Sequence, residues 1–149
     1  MSDRWRLLSD NVLVMKPIIV FDVNETLLDL TTLEPLFERC LGDRRAMRDW
    51  FAELILYSQT VTLAGRYVPF SELAIATLRM RAEVMGARLT ATDEQALGEL
   101  IRSMPAHADV VPALERLRAS GYRLVTLTNS PPSASPTPLE RAGIAEYFE

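Results

Sequence analysis

At 149 residues, 48% apolar and 24% charged, the chain suits one globular domain, or a modest core carrying an insert, and not a disordered polymer. A net charge of -4 without long acidic or basic blocks gives no basis for a nucleic-acid partner, and no apolar run nears the ~20 residues that span a bilayer. The single cysteine, Cys40, excludes an internal disulfide and fits a reducing cytoplasm, while the single histidine, His107, excludes a two-histidine metal site.

Residues 1–14 read as an N-terminal extension, because Ser9, Asp10 and Asn11 interrupt any signal-like apolar core and Met15-Lys16-Pro17 makes a natural domain start. Ile18-Ile19-Val20-Phe21 then runs straight into Asp22, which predicts a strand buried on both faces of a parallel sheet. From about 33 to 104 the pattern is helical. Leu33, Leu36, Phe37, Cys40 and Leu41 keep a 3.6-residue period up to Gly42, with Cys40 a buried small hydrophobe. A longer helix covers about 44–63 and carries Ile55 besides Trp50, Phe51, Leu54 and Tyr57, which read inward, and its Arg44, Arg45 and Arg48 form a solvated face. Gly65 and Pro69 break the pattern, Ser71 caps a helix running to about Met85, and Thr92 with Gln95 forms a capping-box pair before Leu97, Leu100 and Ile101.

Pro105 ends that helix, and His107 falls in the loop that follows. Asp109 and Pro112 open another amphipathic helix, stopped by Gly121. Residues 122–128 form a second strand, Pro131 to Pro138 a stiff loop with four prolines, and 138–143 a short helix. Strand, helical insert, helix, strand is the order of a parallel α/β core with an inserted helical cap. The boundaries are 15–30 and 106–149 for the core and 31–105 for the cap.

Open α/β sheets carry their chemistry at the carboxyl ends of the strands, so Asp22 stands where a nucleophile would. It also stands where an Asp would only cap the following turn, and residue type alone does not separate the two. Asp29 reads as the cap of the first inserted helix. Ser130 reads equally as a substrate contact and as a turn cap. Phe51 and its helical neighbours read as insert core or as the wall of a substrate pocket.

Residues 18–29 resemble the first motif of the haloacid dehalogenase (HAD) superfamily, a strand ending in D-x-x-x-T-[LV], with Asp22 at the nucleophile and Thr26 at the hydroxyl position. Leu124-Val125-Thr126-Leu127-Thr128-Asn129-Ser130 resembles its second motif, which implies that Thr128 donates to a substrate oxygen, with Asn129 beside it. Arg66-Tyr67-Val68-x-Phe70 and Leu139-Glu140-x-Ala142-Gly143 extend the likeness to the type II 2-haloacid dehalogenase group over about residues 16–149. The resemblance implies a HAD-like, Rossmann-type parallel sheet and displacement of halide by Asp22 through an aspartyl ester on a 2-haloacid or similar carboxylate. No cofactor or metal is implied for that reaction.

Several departures shape the expectation. Asn24 holds the place of the Asp that phosphatases of the superfamily use as general acid, and an amide cannot exchange a proton usefully, so a Mg²⁺-dependent phosphatase is disfavoured. Asn24 and Glu25 also replace the Tyr-Gly of most dehalogenases, and Phe51 stands where an Arg that binds halide is implied; a phenyl ring offers neither its charge nor its donors. The family's third motif supplies a Lys, yet this chain's single lysine, Lys16, precedes the first strand and lies ~20 Å from Asp22 by strand geometry. The fourth motif's acidic pair is not found after Thr128 either. The expectation is therefore a sheet incomplete at its C-terminal side, a weak or inactive chain, and a truncated remnant or partner-dependent subunit as the competing reading, with a homodimer as one way to cover the open sheet.

Overall fold

The computed structural model describes residues 16–128 and 136–149. The N-terminal extension, Asn129, Ser130 and most of the proline-rich loop lie outside them. Strand β1 (Ile18–Phe21) pairs in parallel with β2 (Arg123–Thr126), Ile19 opposite Leu124 and Phe21 opposite Thr126. Between them come a 3₁₀ turn (Leu30–Leu33) and helices α1 (Glu34–Leu41), α2 (Ala46–Leu63), α3 (Phe70–Val84), α4 (Ala91–Arg102) and α5 (Val110–Ala119). A short α6 (Pro138–Arg141) and a 3₁₀ turn (Ala145–Tyr147) follow β2. The five longer helices fall where apolar periodicity predicts them.

Most of the core lies within the helical insert. Trp50 of α2 is fully buried, its ring centroid 5.0 Å from that of Phe37 in α1, and its indole N–H donates to the Ala74 carbonyl of α3 at 3.0 Å. Leu54, Leu78 and Leu97 close the same core from α2, α3 and α4. At the rim, Arg81 of α3 pairs with Asp49 (2.8 Å) and Glu53 (3.5 Å) of α2, and Arg79 grips Glu94 of α4 with two bonds of 2.6 Å. Gly42 ends α1 in the left-handed conformation, φ 73°, that a helix C-terminus favours in glycine.

Several local expectations need correction. β1 is not buried on both faces: Ile19 and Phe21 pack on the core, while Ile18 and Val20 stay 48% and 58% exposed, because nothing among the described residues covers that side. Ser71 does not cap α3; Phe70 already opens the helix after extended Pro69, which leaves Ser71 inside the first turn. The capping box of α4 is Thr90 with Asp93, two residues earlier than Thr92 with Gln95, since Thr90 is the residue with extended backbone. The second strand ends at Thr126, and α6 ends at Arg141. Tyr57, expected inward, is 37% exposed.

The last residues run back to the sheet. Phe148 meets Phe21 edge-on at 5.9 Å, and the Glu149 N–H donates to the Leu124 carbonyl while its carboxylate grips Arg123. That backbone bond is a first rung on the side of β2 away from β1.

Candidate active site

The segment after β1 is a tight, heavily bonded loop. The Val23 carbonyl accepts from both Leu27 N–H (2.9 Å) and Leu28 N–H (3.0 Å), and Val23 and Leu27 are buried beneath it. Apolar residues thus alternate with polar ones so that Val23 and Leu27 anchor the loop while Asp22 and Thr26 stay exposed. Thr26 Oγ1 donates to Asp22 Oδ2 at 3.0 Å. The far end of the insert staples the loop: Asp29 N–H donates to the Pro105 carbonyl, and His107 N–H to that of Leu27. Asp29 caps the 3₁₀ turn that precedes α1, and not α1 itself, accepting from Thr31 N–H at 2.9 Å and Thr31 Oγ1 at 2.6 Å; the Thr31 hydroxyl bond holds its carboxyl below the usual range.

β2 brings the second polar element alongside. Leu127 N–H donates to the carbonyl of Phe21, the residue before Asp22, at 2.8 Å, so Thr128 enters the same cleft as the Asp. Asp22, Asn24, Glu25, Thr26 and Thr128 line one side of this cleft of about 330 Å³, and Phe51, Ile55 and Phe70 of α2 and α3 line the other. A second hollow of about 280 Å³ shares Asp22 and Thr128 and is otherwise bounded by the exposed Val20 and Leu127. Of the residues read as candidates from the sequence, Asp22, Asn24, Thr26, Phe51 and Thr128 share one cleft. Asn129 and Ser130 lie outside the described residues. Trp50 and Leu54 belong to the core.

Sequence reasoning named Glu25 and Ile55 without assigning either to the cleft, and set Arg48 on a solvated face. Ile55 lies one helical turn after Phe51, so the pairing was available from spacing. Glu25 stands where the resembled dehalogenases carry the Gly of Tyr-Gly, and it sits at φ 65°, the one non-glycine with positive φ among the described residues, a backbone that a glycine usually marks. Arg48 does not line the cleft, yet its Nη1 lies 3.8 Å from Glu25 Oε1. No group of three or more His, Cys, Asp or Glu side chains that could hold a metal ion occurs among the described residues. Cys40 lies away from the cleft, and burial pushes its thiol up to about 11, so it is not a thiolate at neutral pH.

The fold has known counterparts. A family model for haloacid dehalogenase-like hydrolases matches residues 17–149. The chain is 31% identical over 119 residues to (S)-2-haloacid dehalogenase H-109 of Pseudomonas putida, covering 77% of this chain and 53% of the relative. It is 32% identical over 113 residues to (S)-2-haloacid dehalogenase 1 of Pseudomonas sp. (strain CBS-3), 74% of this chain and 49% of the relative. It thus spans about half the length of the curated relatives it matches. Among solved structures, the L-2-haloacid dehalogenase RSc1362 superposes with a TM-score of 0.81 at 26% identity, over 90% of this chain and 61% of that one. The L-2-haloacid dehalogenase of Xanthobacter autotrophicus gives 0.77 at 21%, over 91% and 55%. With these likenesses the two-stranded parallel sheet and its helices are part of a Rossmann-type α/β fold. The chain belongs to the haloacid dehalogenase-like hydrolase family, in its type II haloacid dehalogenase-like group.

Proposed function

We propose that the cleft hydrolyses a carbon–halogen bond of a small 2-halo acid or a close derivative, with Asp22 as nucleophile. The observation that carries this reading is the Thr26–Asp22 hydrogen bond at the mouth of a half-apolar cleft. Thr26 engages Oδ2, so Oδ1 is assigned the attack on the halogen-bearing carbon. Halide departs with the bonding pair, and water then cleaves the resulting aspartyl ester. The helices of residues 31–105 act as a cap whose Phe51, Ile55 and Phe70 shield the reacting carbon from water. Thr128, with Asn129 and Ser130 next in sequence, binds the substrate's polar end. Asn24 lines the cleft as an amide and supplies no general acid, which favours a leaving group that needs no proton and disfavours phosphate monoesters.

The test is direct. The chain is incubated with 2-chloropropionate and related 2-halo compounds, and the peptide containing Asp22 is weighed for an ester adduct and, in labelled water, for oxygen-18 incorporation. Adduct or label on Asp22 is expected; neither, with any compound, ends this reading. A second reading, a subunit that works only with another polypeptide against its sheet, is favoured by the exposed Val20 and Leu127 beside Asp22. In that case adduct formation appears only after such a partner is added.

A further inference from the structure

The chain leaves the inserted helices beside the loop that carries Asp22, and the two segments are stitched together. Leu28, fully buried, pairs with Ala106 as an antiparallel bridge. Around that pair, Asp29 N–H donates to the Pro105 carbonyl at 2.8 Å and His107 N–H to the Leu27 carbonyl at 3.0 Å. The second of these is a backbone bond that survives a change of side chain at position 107. The half-buried imidazole adds a bond of its own, with Nε2 lying 3.3 Å from the Glu25 carbonyl. A carbonyl only accepts, so the ring carries a proton on Nε2 here.

That bond falls on the strained point of the loop. Glu25 stands at φ 65°, a left-handed backbone that costs an L residue roughly tenfold in population. Its N–H is held from within the loop by the Leu28 carbonyl at 3.0 Å, and its carbonyl is held from outside by His107. Val23 and Leu27 are buried and anchor the loop at either side, so the turn between them is set at Glu25. Thr26 follows directly. Rotation of Glu25 out of the left-handed region re-aims Thr26 and breaks its 3.0 Å bond to Asp22 Oδ2.

We propose that His107 is a positioning residue for the Asp22 carboxylate: its imidazole holds Glu25 left-handed, and that turn delivers Thr26 to Asp22. The inference rests on the reading of Asp22 as the nucleophile. His107 is not among the described residues that line the cleft, so its effect passes through the loop. One hydrogen bond shifts an equilibrium about fivefold, close to the left-handed penalty, so losing it is enough to depopulate the Thr26–Asp22 arrangement.

The experiment uses the full chain with the 2-halo compounds of the Asp22 test. His107→Leu removes the donor at similar volume, and His107→Gln offers an amide N–H in its place; His107→Ala replaces the first should it not fold. The maximal rate of adduct formation and the half-saturating concentration are measured separately, with hydrogen exchange of the Leu27 and Leu28 amides, both bonded to the Val23 carbonyl, read in parallel. In His107→Leu the maximal rate should fall about fivefold with half-saturation unchanged, and both amides should exchange about fivefold faster. His107→Gln should restore both readings to within about twofold of the parent. In a Glu25→Gly background, where the left-handed turn is free, His107→Leu should cost no more than about twofold.

A lowered stability with an unchanged rate per folded molecule makes His107 a structural residue only and overturns the proposal, leaving Asp22 as nucleophile. A loss that the Gln variant does not rescue, or that persists undiminished with Glu25→Gly, overturns it too. His107 is the chain's single histidine, so a nitrogen-15 spectrum of the parent reports its ring directly. An Nε2 proton protected from exchange is expected, and a ring protonated on Nδ1 alone overturns the bond. No adduct on the parent with any compound removes the Asp22 reading instead; the amide exchange and the imidazole signal then decide whether His107 holds the loop.

Discussion

Thr26 Oγ1 lies 3.0 Å from Asp22 Oδ2, so the proposed nucleophile is held by a residue four positions along its own loop and not by a distant element. The loop can do this because Val23 and Leu27 are buried and the Val23 carbonyl accepts two N–H groups, which closes the turn that brings residues 22 and 26 together.

This bond makes the first prediction. Thr26→Val keeps the side chain's shape and removes the hydroxyl, leaving the Asp22 carboxylate to rotate. Misplacement of a reacting group by about 1 Å costs on the order of 100-fold in rate, so adduct formation on Asp22 should fall by roughly 10- to 100-fold. Thr26→Ser should retain most of it. Because Thr26 is exposed, neither change should move the urea midpoint appreciably.

Trp50 makes the second. It is fully buried between α1 and α3, and its N–H satisfies the Ala74 carbonyl. Trp50→Ala removes both a large apolar volume and a buried bond, and should cost about 3–5 kcal/mol in urea unfolding. Trp50→Phe should cost less, because a ring still fills most of the site.

Much of this arrangement was legible in the chain before any coordinates. The apolar run Ile18–Phe21 and the Leu124–Thr128 stretch predicted both strands, and the spacing of Trp50, Leu54 and their neighbours predicted the inserted helices. The pairing of the two strands brought Asp22 and Thr128 into one cleft, as the motif order implied. What was not legible depends on context that no residue type reports. Thr90 and Thr92 are equally good caps on paper, and only the extended backbone at Thr90 selects it. Ile18 and Val20 read as buried because β-branched residues fit a two-sided sheet, yet their exposure depends on what packs above them. Glu25 adopts a glycine-like backbone because Leu28 and His107 bond it there, and those partners are set by the fold.

Asp93 makes the third prediction. The Thr90 hydroxyl and N–H, then the Cys40 thiol and the Arg39 guanidinium, hold its carboxyl far below the usual carboxylate range. A carboxyl whose folded pKa is lowered contributes stability that is present above its unfolded value of ~4 and is lost as pH falls below that toward the folded value. Asp93→Asn should therefore be less stable than the parent at pH 7, with the gap narrowing as the pH drops below about 4. Thr90→Ala removes the reciprocal bond and should cost about 1 kcal/mol at pH 7.

The fourth prediction concerns the bare side of the sheet. Val20 and Leu127 are 58% and 72% exposed and bound a hollow beside Asp22, an apolar surface that favours association with any strand or sheet offered to it. Val20→Thr keeps the β-branched shape, Leu127→Thr introduces one, and together they remove much of the apolar character. Since both side chains are already largely in water, unfolding free energy should change by no more than about 0.5 kcal/mol for each. Self-association, read as the concentration dependence of light-scattering mass, should fall clearly in the double variant. An unchanged association with an intact fold would place the adhesive surface elsewhere, for which the exposed Leu63 and Val84 at the ends of α2 and α3 are the next surfaces to alter.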